Sequence, residues 1–196
     1  GKWLMIDFGI GFANDFLPGV DVLVPDISFL EKIKDDIVGL VLTHAHEDHI
    51  GAIPYLWEDI KCPLYATPFT IAVIKNKLAR EKMKAPAPMN EVQPASNINL
   101  APFNLEMIGL THSIPEMQAI AIKTDKGTIM HTGDWKFDET PMLGTDSDKQ
   151  RLQEIGSEGV LAMIGDSTNA MVDGRTPSEA VARDGLTKVI YKASKA

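Results

Sequence analysis

The chain has 196 residues, 44% of them hydrophobic and 23% charged, which is enough apolar material for a buried core and no composition for disorder. Its formal net charge of -8 argues against a broad phosphate-gripping surface, so a polyanionic substrate would have to be held by metal or from elsewhere. The single cysteine, Cys62, excludes an internal disulfide framework and fits a reducing, cytoplasmic setting. No run approaches the ~20 apolar residues of a membrane span, and the opening residues lack the layout of a signal peptide.

In chain order, residues 2–8 read as a buried strand, 22–24 as a short one and 37–42 as a strand that is apolar except at Gly39. Residues 50–57 predict a short helix and 63–66 another strand, with Cys62 as a small half-buried residue beside Pro63. Thr67 and Pro68 make an N-cap and first-turn pair for a helix to about Lys84, with Ile71, Ile74 and Leu78 on one face. The stretch 85–99, carrying Pro86, Pro88 and Pro94, reads as a connection or an edge segment.

Strands are expected at 103–110, 119–123 and 128–131, the last two joined by the turn Thr124-Asp125-Lys126-Gly127. A helix over 148–155 and a last buried strand over 160–164 follow, and Thr176-Pro177-Ser178-Glu179 has the capping-box form that opens a final helix. Strands alternating with helices, plus one hairpin, imply an α/β fold with mixed sheet covered by helices. Lys188, Lys192 and Lys195 fall on one side of the final helix and read as a solvated face, with nucleic-acid contact as the alternative. Both ends look cut, within a strand at the start and within a helix at the finish.

The chemistry concentrates in His44-Ala45-His46-Glu47-Asp48-His49. His44 and His46 follow an apolar strand two residues apart, so an extended backbone directs both imidazoles to one side. Asp48 and His49 stand where the chain turns into a helix and can face a neighbouring position. Burying so many polar side chains without a cation would be costly, and imidazole plus carboxylate suits zinc, manganese or a similar ion.

Two more donors end strands in the same way, His112 after Gly109-Leu110-Thr111 and Asp134 after His131-Thr132-Gly133, while Asp7 ends the first strand. Donors delivered at strand ends fit a site at one edge of a sheet. Counting them gives His44, His46 and His112 for one ion, Asp48 and His49 for a second, and Asp134 as a bridge. Two ions ~3.5–4 Å apart can share a hydroxide and stabilise the charge of a hydrolytic reaction. His131, inside a strand, reads as a satisfied histidine or one that supports ligands from behind.

At these residues the chain resembles the metallo-β-lactamase superfamily, whose signature is H-x-H-x-D-H. The longer run Leu42-Thr43-His44-Ala45-His46-Glu47-Asp48-His49-Ile50-Gly51-Ala52-Ile53-Pro54-Tyr55-Leu56 is similar to the β-CASP nucleases, and within them to ribonuclease J. Thr111-His112-Ser113-Ile114-Pro115, His131-Thr132-Gly133-Asp134-Trp135-Lys136-Phe137-Asp138 and Gly165-Asp166-Ser167-Thr168-Asn169-Ala170 match as well.

The resemblance implies an αββα sandwich over residues 1–174, lacking its first strands and last portion, and the start of a β-CASP domain over 175–196. It implies His44, His46, Asp48, His49, His112 and Asp134 as metal ligands, Asp48 and Asp134 among them as catalytic, and Asp7 as a residue that orients the site. It implies two divalent ions, zinc first with manganese or magnesium as alternatives. The implied activity is cleavage of RNA, 5′ to 3′ from a monophosphorylated end and internally, in RNA processing and decay, by a homo-oligomeric parent protein. The last metal histidine, the leaving-group histidines and the pocket for the RNA 5′ end would lie outside this chain, so the chain alone is expected to be incomplete.

Three rivals stand beside this reading. A two-metal hydrolase of a small ester or thioester is opposed by Ile53-Pro54-Tyr55-Leu56 and Lys136-Phe137-Asp138. A flavodiiron redox enzyme would carry glutamate in place of His46. A non-catalytic scaffold fragment would hold one metal or none.

Overall fold

Two main sheets and one small hairpin take up the strands of the computed structural model, which describes residues 1–13 and 15–193, in agreement with the expected αββα sandwich. The first sheet joins β1 (Trp3–Ile6), β4 (Ile37–Val41), β5 (Leu64–Ala66) and β6 (Met89–Glu91) in that order, every pair parallel. Between β1 and β4 lie a small hairpin of β2 (Gly11–Phe12) and β3 (Val22–Leu23), then a short helix α1 (Ser28–Ile33). The second sheet runs β11-β10-β9-β8-β7, built from β7 (Asn97–Leu100), β8 (Phe103–Gly109), β9 (Gln118–Thr124), β10 (Gly127–His131) and β11 (Ala162–Ile164). It is antiparallel except at the pair β10–β11.

The alternation of side chains along each strand sorts the core into layers. In β4, Leu40 faces α3 (Ile53–Ile60) and α4 (Pro68–Arg80), where it packs with Ile53, Trp57, Ile74 and Leu78. Val41, the next residue, points the other way and meets Leu105, Met107, Ile120 and Ile122 of the second sheet. On that sheet's far side Ile108, Ala119, Ala121 and Met130 receive Ile155 and Leu152 of α5 (Lys149–Glu158). The order of layers is therefore helix, sheet, sheet, helix, and each large side chain buried in it contributes about 1.5–3 kcal/mol.

The helix α5 is fixed at both ends of its first turns. Asp148 accepts the Arg151 backbone N–H at 2.9 Å, and the Arg151 guanidinium grips Glu106 of β8, which also receives Lys123 Nζ of β9 at 2.9 Å. The fork and the ammonium together hold the Glu106 carboxyl down at about 2, against the cost of burying it.

Several expectations are corrected. The expected helix 50–57 is two helices, α2 (Glu47–Ile50) and α3, because the chain turns at Gly51 and Pro54 starts a new helix. Thr67 stands at the N-cap of α4, yet its hydroxyl donates to Thr70 Oγ1, and the Phe69 N–H is taken by Glu116 Oε2 at 2.9 Å. The stretch 85–99 takes the edge alternative, since it holds the edge strand β6 and most of the edge strand β7.

The strand β11 is exposed, not buried, with Met163 70% and Ile164 56% accessible, since it is an edge strand paired on one side only. The final helix α6 (Glu179–Ala193) is capped by Ser178, whose hydroxyl accepts the Val181 N–H at 3.4 Å, rather than by the Thr176 box. Lys188 and Lys192 lie on it and are exposed, while Lys195 falls outside the described residues. Cys62 is fully rather than half buried, at 3% accessible; burial pushes its thiol up to about 11.

Candidate metal centre

The sandwich ends its strands β1, β4, β8 and β10 in one direction, and the donors follow those ends. Asp7 comes one residue after β1, His44 three after β4, His112 and Asp134 three after β8 and β10. Both sheets contribute, so the site spans the end of the sandwich and not the edge of one sheet.

The chain stays extended through His46 (φ -71°, ψ 154°) and then closes into the single turn α2, which carries Asp48 and His49. This turn sits directly on the segment after β1: the Phe8 N–H donates to His49 O at 2.6 Å and the Ala52 N–H to Phe8 O at 3.0 Å. The approach is so close that a Cβ on Gly9 would lie 1.6 Å from the Asp48 carbonyl oxygen.

The six expected ligands meet. His44 Nε2 and His112 Nε2 both face His46 Nδ1, at 3.0 and 3.1 Å. His49 Nε2 lies 3.2 Å from Asp134 Oδ1 and 3.7 Å from Asp48 Oδ2. Two sets result, His44, His46, His112 and Asp134 in one and Asp48, His49 and Asp134 in the other, with the donor atoms of each set within 4.8 Å of one another. Asp134 belongs to both.

Asp7 organises the histidines without joining either set. Its carboxylate accepts the Thr43 N–H and the Thr43 hydroxyl, each at 2.8 Å, and His49 Nδ1–H at 2.7 Å. Because the Thr43 hydroxyl spends its proton on Asp7, it must accept from His44 Nδ1, 2.9 Å away. The network thereby places a proton on Nδ1 of both His44 and His49 and turns a bare Nε2 of His44 toward the centre. Asp7 holds this position with φ 60°, a left-handed conformation that aspartate tolerates better than most residues.

The electrostatics follow the same division. Burial, reinforced by the neighbouring histidines, drives His44 down to about 2, so it is neutral and able to donate a lone pair. Burial also opposes charge on His49, but the Asp7 hydrogen bond and the charges of Asp7, Asp134 and Asp48 outweigh it and raise His49 to about 9. In the metal-free chain His49 therefore carries the proton that a cation would displace.

Three imidazole nitrogens converging on one point cannot satisfy one another by hydrogen bonds alone, whereas a cation accepts all of them. Imidazoles with carboxylates, oriented from behind by Asp7 and Thr43, suit a divalent ion of the zinc type. The second set has three donors among the described residues, one fewer than the first.

The loops carrying His112 and Asp134 are tied together. The Lys136 N–H donates to Thr111 O at 3.0 Å, the Asp138 N–H to the Thr111 hydroxyl at 3.3 Å, and that hydroxyl bonds the Lys136 carbonyl oxygen. His131 joins neither set. Its Nδ1 accepts the Gly133 N–H at 3.1 Å, and burial lowers its pKa despite Asp7 and Asp134 nearby.

Two participants were not singled out from the sequence. Thr43 relays Asp7 to His44, a role that its place beside the histidine run could have suggested. Asp166, after β11, accepts the Thr168 N–H at 2.8 Å and the Trp135 N–H, stays low in pKa for that reason, and places its charge near His112. Its segment Gly165-Asp166-Ser167-Thr168-Asn169-Ala170 was noted for its motif alone.

Helices outside two facing sheets, with imidazole and carboxylate donors gathered at one end, define a metal-binding class of α/β sandwich. The chain belongs to the metallo-β-lactamase superfamily, whose family model matches residues 1–150. Along almost its whole length it is similar to ribonuclease J of Sinorhizobium meliloti, 44% identical over 192 residues that cover 98% of this chain and 34% of that protein. Ribonuclease J of Helicobacter pylori is 44% identical over 177 residues, covering 90% and 26%, and that of Thermus thermophilus 37% over 196 residues, covering 96% and 34%.

The chain thus spans 34% or less of the length of these relatives. Among solved structures, Zn(2+)-bound PqqB from Methylobacterium extorquens aligns with a TM-score of 0.57 at 14% identity, over 89% of this chain and 62% of that one. A protein of unknown function from Enterococcus faecalis aligns with a TM-score of 0.58 at 18% identity, over 92% and 48%. At such identities the likeness shows the fold alone.

Proposed function

We propose that this chain is the metal-binding portion of a two-metal ribonuclease that hydrolyses RNA phosphodiesters, both 5′ to 3′ from a monophosphorylated end and internally, in RNA processing and decay. The observation that carries the reading is the meeting of His44, His46, His112, Asp48 and His49 around the shared Asp134. The similarity to ribonuclease J supports RNA as the substrate.

His44, His46, His112 and Asp134 would hold one divalent ion, and Asp48, His49 and Asp134 the other; zinc fits the imidazole-rich set best, with manganese or magnesium as alternatives. Such a pair of ions supplies an activated hydroxide and neutralises charge on the phosphodiester oxygens. The chain's own residues act by placement. Asp7 fixes the ring of His49 directly and that of His44 through Thr43, holding Nδ1 of each on the outer side so that Nε2 faces the centre.

Residues 1–174 form the metal-binding domain in this reading, and 175–196 open a β-CASP domain. The rest of a longer, homo-oligomeric protein would supply the remaining ligand and the RNA 5′-end pocket. A cytoplasmic setting is supported by the buried, reduced Cys62, and among the described residues no helix is long and apolar enough to cross a membrane.

The test is cleavage of 5′-monophosphorylated RNA by the longer protein, with and without His46→Ala. Loss of cleavage together with loss of bound metal is the expected result; full activity in the variant would defeat the assignment.

A further inference from the structure

Glu47 stands between His46 and Asp48 but belongs to neither donor set. Both of its carboxylate oxygens are taken by Lys77 Nζ of α4, at 2.6 and 2.7 Å. Lys77 springs from a fixed base, because the residues around it on α4, Ile74 and Leu78, are buried at 0% and 3% accessible.

The turn that Glu47 opens needs such a partner. With four residues, α2 has too few internal hydrogen bonds to fix its own direction. One flank is held by backbone bonds to the segment after β1, where Phe8 donates to His49 O and the Ile10 N–H to Glu47 O at 3.2 Å. The other flank is held by the Glu47–Lys77 pair. Gly51 leaves room for it: a Cβ there would come within 2.9 Å of Glu47 Oε2 and 2.7 Å of Ile10 Cγ1.

We infer that Glu47 and Lys77 are a positioning pair for the second metal, aiming α2 so that Asp48 and His49 reach Asp134. This rests on the proposed ligand sets. An ion pair whose carboxylate is half exposed adds little to global stability, so its effect falls on geometry. Of the first set, His44 and His46 precede the turn on the extended segment after β4 and His112 comes from the second sheet, so three of its four donors do not ride on α2.

The experiment titrates zinc onto the longer protein by equilibrium dialysis, for wild type, Glu47→Gln, Lys77→Met and Lys77→Arg, with thermal melts of the metal-free forms. Expected are two zinc ions on wild type, affinity for the second weakened about tenfold in Glu47→Gln and Lys77→Met, the first retained, and both restored in Lys77→Arg. Wild-type affinity for both ions in Lys77→Met, or equal loss at both with a lower melting temperature, would overturn the pair's role alone. A wild type that takes up fewer than two zinc ions would instead overturn the ligand sets and, with them, this inference.

Discussion

One carboxylate oxygen of Asp134 lies 3.2 Å from His49 Nε2 and the other 3.8 Å from His112 Nε2, so a single side chain links the two donor sets. Asp134→Ala is expected to weaken both metal ions, by about 100-fold or more, while His112→Ala weakens the first. Metal content per chain at fixed free zinc separates the two patterns, and loss of one ion only in Asp134→Ala would contradict the bridge.

The two buried histidines give the metal-free chain a stability curve with two arms. His49 is raised from its ordinary 6.5 to about 9, so its charged pair with Asp7 stabilises fully below about 6.5 and is lost as pH rises through about 9. His44 is lowered to about 2, so the unfolded chain binds a proton that the folded chain refuses; its contribution is complete above about 6.5 and drains as pH falls toward about 2. Denaturant titrations across pH should show the alkaline loss shrink in His49→Ala and the acid loss shrink in His44→Ala. Zinc binding should release protons and strengthen as pH rises toward about 9.

Gly9 lets the segment after β1 lie against α2. Gly9→Ala would place a methyl 1.6 Å from the Asp48 carbonyl oxygen, which is backbone and cannot step aside. A loss of about 3 kcal/mol is expected in chemical denaturation, with metal affinity falling as well because the displaced turn carries Asp48 and His49.

Arg151 fastens α5 to the second sheet through Glu106. Arg151→Met keeps the stem and removes the fork, and a lower urea midpoint is expected at neutral pH. Glu106 is held at about 2 against an ordinary 4.5, so this contribution is present above about 4.5 and disappears as pH falls toward 2. The wild-type and variant curves should therefore converge in acid.

Much of the fold was legible because its signals are local. The apolar run through Leu40, Val41 and Leu42, the helical spacing of Ile71, Ile74 and Leu78, and the Thr124 to Gly127 turn each depend on residues a few positions apart. Short elements escaped for the same reason. Six residues from Ser28 to Ile33 hold too few turns to display a period, and the prolines around β6 and β7 masked strands that pairing alone creates.

By itself the sequence determined the donors, their types, and the strand ends that carry them, since these follow from residue identity and neighbouring pattern. Only the tertiary structure decided which strands pair in each sheet, that β11 lies exposed at an edge, that Thr43 relays Asp7 to His44, and that Lys77 grips Glu47. Those contacts join residues brought together by packing and by strand ends, or fix which atom of a ring carries a proton, and no local periodicity encodes either.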